Sequence, residues 1–324
     1  MIRLFLGGLM TLVVAGHNFN RNLWGYTDDL KEGQSERQEG IFAIADSIIT
    51  SFSSNGHRPL LSGFKKIKEI PVKLWQPYFI GQNFKSYHNV FLQFECFVAF
   101  AGSTLTAQHV IDLITNHLAT LRIDFESGDF QNNFRYVVKK ICDSNNLERN
   151  GNGTVYGDDM FIPERHYQGI LTGEYIAEVV EHSINKALIS ASKYKLDEQS
   201  LREMNTEFIL GVNCPSSGCD LLIKYSMKRR LSVQGMIEVY VESERIAEGA
   251  IAVIGLNERF GAKAQDRAKQ AIENGLSLKD EMTAFVVDAV NEVNNEGSFQ
   301  IAMPIAIKCL ENRKVTKEVI SEDI

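Results

Sequence analysis

A chain of 324 residues, 44% hydrophobic and 23% charged, has an ordinary globular balance, with apolar material for one large domain or two small ones. Its net charge of −7 argues against work on nucleic acid or on anionic membrane surfaces, both of which call for a basic face. Five scattered cysteines (Cys96, Cys142, Cys214, Cys219, Cys309) do not form the dense, even framework of a disulfide scaffold, and point to reduced thiols and a cytoplasmic setting.

No apolar run reaches the roughly 18–20 residues of a membrane helix. Met1-Ile-Arg3 and the apolar stretch from Leu4 to Gly16 have the outline of a weak signal peptide. The preferred reading makes Leu12-Val-Val-Ala-Gly16 the first buried strand, because the segments after it supply a matching second strand. Residues 17–39 are polar and read as a long loop. Ile41–Ala45 has strand length, 51–63 is turn-rich, and Lys65–Ile70 alternates charged and apolar residues as a half-exposed strand does. Val90–Ala101 is a further apolar strand. Thr104–Leu121 sets Leu105, Val110, Leu113, Ile114, His117, Leu118 and Leu121 near one helical face, with Ser103 or Thr104 as its cap.

Asp124–Asp159 is polar and reads as an exposed loop or hairpin. Tyr175–Tyr194 reads as a helix, and Phe208–Tyr225 and Met236–Ile254 as strands with turns between them. Cys214-Pro-Ser-Ser-Gly-Cys219 is read as one of those turns rather than half of a metal site. Gly261–Gly275 and Leu278–Val293 are helical, Phe299–Cys309 is a late strand, and the charged tail after Glu311 is expected to fray. Strands, helices, strands, helices and a strand do not alternate as a doubly wound sheet does. The order suits an α+β protein with two antiparallel sheets packed together and helices on both outer faces.

Four pieces carry chemistry. Thr11 opens the first strand, Asp46 ends the second in Ile44-Ala-Asp46-Ser-Ile-Ile-Thr50, Lys66 lies in Phe64-Lys-Lys66-Ile-Lys-Glu-Ile70, and Phe100-Ala-Gly102-Ser103 leads into a helix. This succession resembles the proteasome β-subunit family and its bacterial relatives, over roughly residues 11–120. The resemblance implies a four-layer αββα sandwich and a threonine-type peptidase or amidase that needs no cofactor or metal. It makes Thr11 the nucleophile and its own amine the base, with Lys66 and Asp46 as a charge pair beside it and the Gly102 backbone N–H as oxyanion donor. Thr50 and Ser103 would face the substrate. It also implies a peptide or protein substrate, a homo-oligomeric ring and a possible unfolding ATPase partner, with no nucleic-acid or membrane role. Residues 1–10 are then a short propeptide or an unused upstream start, 11–312 the hydrolase domain with long insertions, and 313–324 a charged tail.

The chain departs from the family pattern in the length of 17–39, of 71–90 and of the stretch between the first helix and Gly255, and at three motif positions. Met10 rather than Gly precedes Thr11. Ile254-Gly255-Leu256 stands where a Gly-Ser is expected, and Glu292–Gly297 offers Asn295 or Glu296 where the later serine belongs. Two other readings therefore stay open: a non-catalytic ring subunit, and an N-terminal-nucleophile amidohydrolase acting on a small amide. Elsewhere, the seven histidines make no HExxH or paired metal spacing, with His109 read as partly exposed and His117 as a core residue. Gly-rich residues 151–157 lack the Lys-Ser/Thr of a phosphate loop.

Overall fold

The computed structural model describes residues 11–19, 38–53, 56–127, 134–193, 197–231, 233 and 237–321. In chain order the elements are β1 (Leu12–Phe19), β2 (Gln38–Asp46), β3 (Ile49–Ser53), β4 (Gly56–Leu61), β5 (Ile67–Ile80), β6 (Asn83–Gly102), α1 (Thr104–Leu118), β7 (Leu121–Ser127), β8 (Phe134–Lys139), α2 (Asn146–Asn150), α3 (Pro163–His166), α4 (Gly173–Lys193), α5 (Glu198–Glu203), β9 (Thr206–Asn213), β10 (Asp220–Leu231), β11 (Ile237–Arg245), β12 (Ile251–Gly255), α6 (Asn257–Glu273), α7 (Leu278–Asn295), β13 (Ile305–Glu311) and β14 (Lys314–Ile320). The protein is of the α+β kind. No described helix is long and apolar enough to cross a membrane.

Two sheets carry the fold. One runs β12-β1-β2-β13-β14 and the other β11-β10-β9-β6-β5-β7-β8, while β3 and β4 form a hairpin of their own. Pairing is antiparallel except between β5 and β7. The period-2 alternation of strands assigns each face. Leu12, Val14, Phe42 and Ile44 point to a core shared with α6 and α7, where Phe260, Met282 and Val286 pack. Their neighbours Val13, Ala15, Ile41, Ala43 and Ala45 meet Phe97, Ala99, Ile209 and Leu222 of the other sheet. Val98, Phe100 and Leu210 face a third core with Val110 and Ile114 of α1 and Ile176 and Val180 of α4.

Gly211 on β9 has no room for a side chain between Phe97, its neighbour in the same sheet, and Ile41 of the facing sheet. A Cβ there would overlap the Phe97 ring and stand 2.8 Å from Ile41 Cδ1. Gly211→Ala is therefore expected to cost about 1–3 kcal/mol by overpacking. A denaturant titration with an unchanged midpoint would contradict this.

Several segments differ from their sequence reading. Of the 17–39 loop, residues 17–19 and 38–39 belong to β1 and β2, and 20–37 fall outside the described residues, as do 1–10. Leu105 is 84% exposed, and the buried face of α1 runs through Ala107, Val110, Ile111, Ile114, His117 and Leu118. Residues 124–159 are not a plain exposed loop. Leu121, Ile123 and Phe125 bury one face of β7, and the fully buried Asp124 carboxylate accepts the Asn146 and Leu147 N–H groups at 2.7 and 3.2 Å, closing the start of α2. Residues 314–320 are not frayed: they form β14, paired along β13 as a mostly exposed, charged edge strand, a composition that discourages further pairing. Cys214–Cys219 is the β9–β10 turn, with the Cys214 N–H donating to the Cys219 carbonyl at 2.7 Å.

Candidate active site

Hydrogen-bonded registers bring three of the predicted residues together. β1 and β2 pair with Val13 opposite Ala45, so Asp46 arrives beside the start of β1. The Leu12 N–H donates to Asp46 Oδ1 at 3.0 Å, and the Ile48 N–H to Oδ2 at 3.2 Å. Lys66 precedes β5 by one residue. Its carbonyl accepts the Phe100 N–H at 3.0 Å, continuing the β5–β6 ladder and aiming the side chain inward. Lys66 Nζ donates to Asp46 Oδ2 at 2.8 Å and to Thr11 Oγ1 at 3.0 Å. Lys65 is exposed, whereas Thr11, Asp46 and Lys66 are 5%, 0% and 4% exposed, which decides between the two lysines.

Burial dominates the electrostatics. It pushes the Lys66 pKa down, opposed by the charge and hydrogen bond of Asp46. It pushes Asp46 up, opposed by Lys66 and by the Leu12 and Ile48 N–H groups. Three donors converge on one carboxylate, and such convergence favours its ionised form. The ammonium is thereby held in place with another of its protons on the Thr11 hydroxyl. That hydroxyl oxygen is already an acceptor, so its own proton is left for a different base. With the Lys66 cation already seated on Asp46, the centre suits proton and acyl chemistry better than metal binding.

The other predicted site residues are Gly102, Ser103 and Thr50. Gly102 ends β6 with a positive φ of 122°, a backbone that glycine adopts readily. Ser103 is the N-cap of α1, accepting the Thr106 N–H at 3.4 Å, so its hydroxyl serves the helix. Thr50 is half-buried in β3, on the separate hairpin rather than on either sheet.

The far side of Thr11 is built by β12, which pairs with β1 so that Leu12 faces Gly255. The Leu256 N–H donates to the Thr11 carbonyl at 2.8 Å. Gly255 has φ +87°, and a Cβ there would overlap the Thr11 carbonyl oxygen and stand 3.2 Å from the Ala101 Cβ. Gly255-Leu256 thus does lie against Thr11, and Leu256 brings no hydroxyl.

A carboxylate absent from the sequence reading stands behind this turn. Glu207 Oε2 accepts the Gly255 N–H at 3.0 Å, and Glu207 pairs with Lys224 at 3.4 Å. Lys224 in turn donates to the Val253 carbonyl at 3.2 Å. Only the strand registers bring these groups to β12; nothing in their local sequence marks them. Ser47, also unmarked, is buried and donates to the Pro304 carbonyl at 2.6 Å. Glu292 lies on α7 and pairs with Arg259 and Lys263 at 2.7 and 3.0 Å, so the stretch 292–297 carries a surface ion-pair network.

No protein-family model matches the chain, and no curated protein matches it.

Proposed function

We propose that the protein is a proteasome-like N-terminal-nucleophile hydrolase, cytoplasmic and acting on peptide or amide bonds through an acyl-enzyme on Thr11. The observation that carries this reading is the buried Lys66 ammonium, which touches both the Thr11 hydroxyl and the Asp46 carboxylate. The three apolar cores on either side of and between the two sheets support a four-layer αββα arrangement.

Removal of residues 1–10 leaves Thr11 with a free amine. That amine takes the Oγ1 proton, directly or through water, as Oγ1 attacks the substrate carbonyl. Lys66 holds the oxygen and favours negative charge on it. The oxyanion is received by the Gly102 N–H, a donor of a kind worth about 3 kcal/mol of barrier. Collapse passes the proton from the Thr11 ammonium to the leaving amine. Water, deprotonated by the same amine, then cleaves the ester and restores Oγ1.

The substrate backbone lies as an added strand near Thr50 and the start of α1. Ring assembly is part of the same reading. An unfolding ATPase would then feed the ring.

The pH profile tests the base. Only the neutral amine accepts a proton, so the rate rises with pH through the amine's own pKa. An α-amine titrates at about 7.7–8.0, and a nearby ammonium lowers that value. Hydrolysis of a fluorogenic peptide is expected to rise to a plateau with its midpoint at or below about pH 8. A rate that falls across that range would rule out the amine as base. A protein that keeps residues 1–10 and cleaves no peptide would favour the non-catalytic ring subunit, and cleavage of small amides alone the amidohydrolase.

A further inference from the structure

A second cluster lies at the other end of α1 from Gly102 and Ser103. The helix has 15 residues, so the two ends are roughly 22 Å apart. His117 sits in its last turn, His182 lies on α4, and Cys142 is in the turn after β8. One ligand atom from each lies within 4.8 Å of the other two. We propose that His117, Cys142 and His182 form a zinc site with a fourth position open to solvent.

Bond lengths support the assignment. Zinc binds thiolate at about 2.3 Å and imidazole at about 2.0–2.1 Å, so a tetrahedral ion sets Sγ and N roughly 3.5 Å apart. Cys142 Sγ and His182 Nε2 are 3.4 Å apart. A thiol–imidazole hydrogen bond alone would account for that pair, but not for the second imidazole beside it. His117 is buried, and its Nδ1 lies 2.7 Å from Ser183 Oγ. The Ser183 hydroxyl spends its proton on the Val179 carbonyl at 2.6 Å. Its oxygen therefore accepts from Nδ1–H, which leaves the lone pair of His117 on Nε2. An outer hydrogen bond that fixes tautomer and ring orientation is the usual support of a metal-binding histidine.

One thiolate and two imidazoles form a borderline-soft donor set, suited to zinc and poorly suited to magnesium or calcium. Cys142 is exposed and gives an entry path. Of the charges nearby, Lys140 pairs with Asp143 at 3.0 Å within the same turn, and Lys186 is exposed on α4. A bound ion would tie α1, α4 and the turn at 140–145 together.

The test uses the full chain, stripped with a chelator and titrated with Co²⁺. The expected result is a sulfur-to-cobalt charge-transfer band with tetrahedral visible absorption, saturating at one ion per chain and displaced by Zn²⁺. Cys142→Ser should lose the charge-transfer band. His182→Ala should weaken binding by about tenfold or more. Thr11→Ala should bind as the wild type does, which separates this site from the hydrolase reading. Circular dichroism checks that each variant is folded. A wild type with no thiolate band, or a band that survives in Cys142→Ser, would overturn the proposal.

Discussion

Thr11→Ala is expected to abolish hydrolysis while leaving the thermal midpoint nearly unchanged. The substitution removes the proposed attacking oxygen and one acceptor of Lys66, but it leaves the Lys66–Asp46 pair at 2.8 Å and the Asp46 contacts to Leu12 and Ile48 intact. Loss of a nucleophile costs catalysis by a factor of about 10⁴ or more in hydrolases built on a hydroxyl and a base. Thr11→Ser keeps the oxygen and should retain measurable turnover. A fluorogenic peptide assay beside a melting curve separates the two effects. Activity in Thr11→Ala at the wild-type level would remove the nucleophile from the account.

Lys66→Ala is expected to fail differently, losing both activity and stability. Asp46 is fully buried, and without its ammonium it keeps two backbone donors among the described residues. Breaking a buried ion pair from one side costs about 3–5 kcal/mol. For a chain of this size that lowers the melting temperature by about 4–8 °C. Asp46 then meets the burial cost by taking up a proton, since burial already pushes its pKa up. The double variant Asp46→Asn with Lys66→Met leaves neither charge behind. It should recover much of the stability and none of the activity, because replacing both members of a buried pair is far cheaper than removing one. A double variant that hydrolyses peptides would show that Thr11 does not depend on the ammonium.

Thr11, Asp46 and Lys66 were legible only as a succession that resembles a family, since each alone is an ordinary strand-end residue and Lys66 leads into a different sheet from Thr11 and Asp46. Choosing Lys66 over Lys65 needed the residue pattern around Ile67, and the structure supplies the physical reason: only Lys66 is turned inward. The four long helices were legible from period 3.6, apart from Leu105, which is exposed, and Leu121, which opens β7, while the short helices α2, α3 and α5 span too few turns to show a period.

The length of β5 and β6 was hidden. Pro71 and Pro77 lie inside β5, and a proline in a run argues against a strand. They are tolerated because β7 pairs with β5 only at Leu74 and Trp75, leaving both prolines where no second ladder runs. The polar tip at residues 81–89 then masks the continuity of the hairpin. β14 was hidden for the opposite reason: an edge strand exposed on most positions has no apolar alternation to read.

Long-range groupings leave no local trace. Gly255 could be placed against Thr11 only through a family pattern, and Glu207 only through the β6–β9 and β9–β10 pairings. His117, Cys142 and His182 carry no metal-binding spacing, since Cys142 and His182 alone are 40 residues apart and α1 and α4 must pack before they meet.

The most direct test of the central claim is the intact mass and N-terminal sequence of the purified protein. The proposed mechanism needs a mature chain that begins at Thr11 with an unmodified amine, because it uses that nitrogen as the base. A mature protein that still carries Met10 or anything before it would contradict the mechanism, whatever the geometry around Lys66.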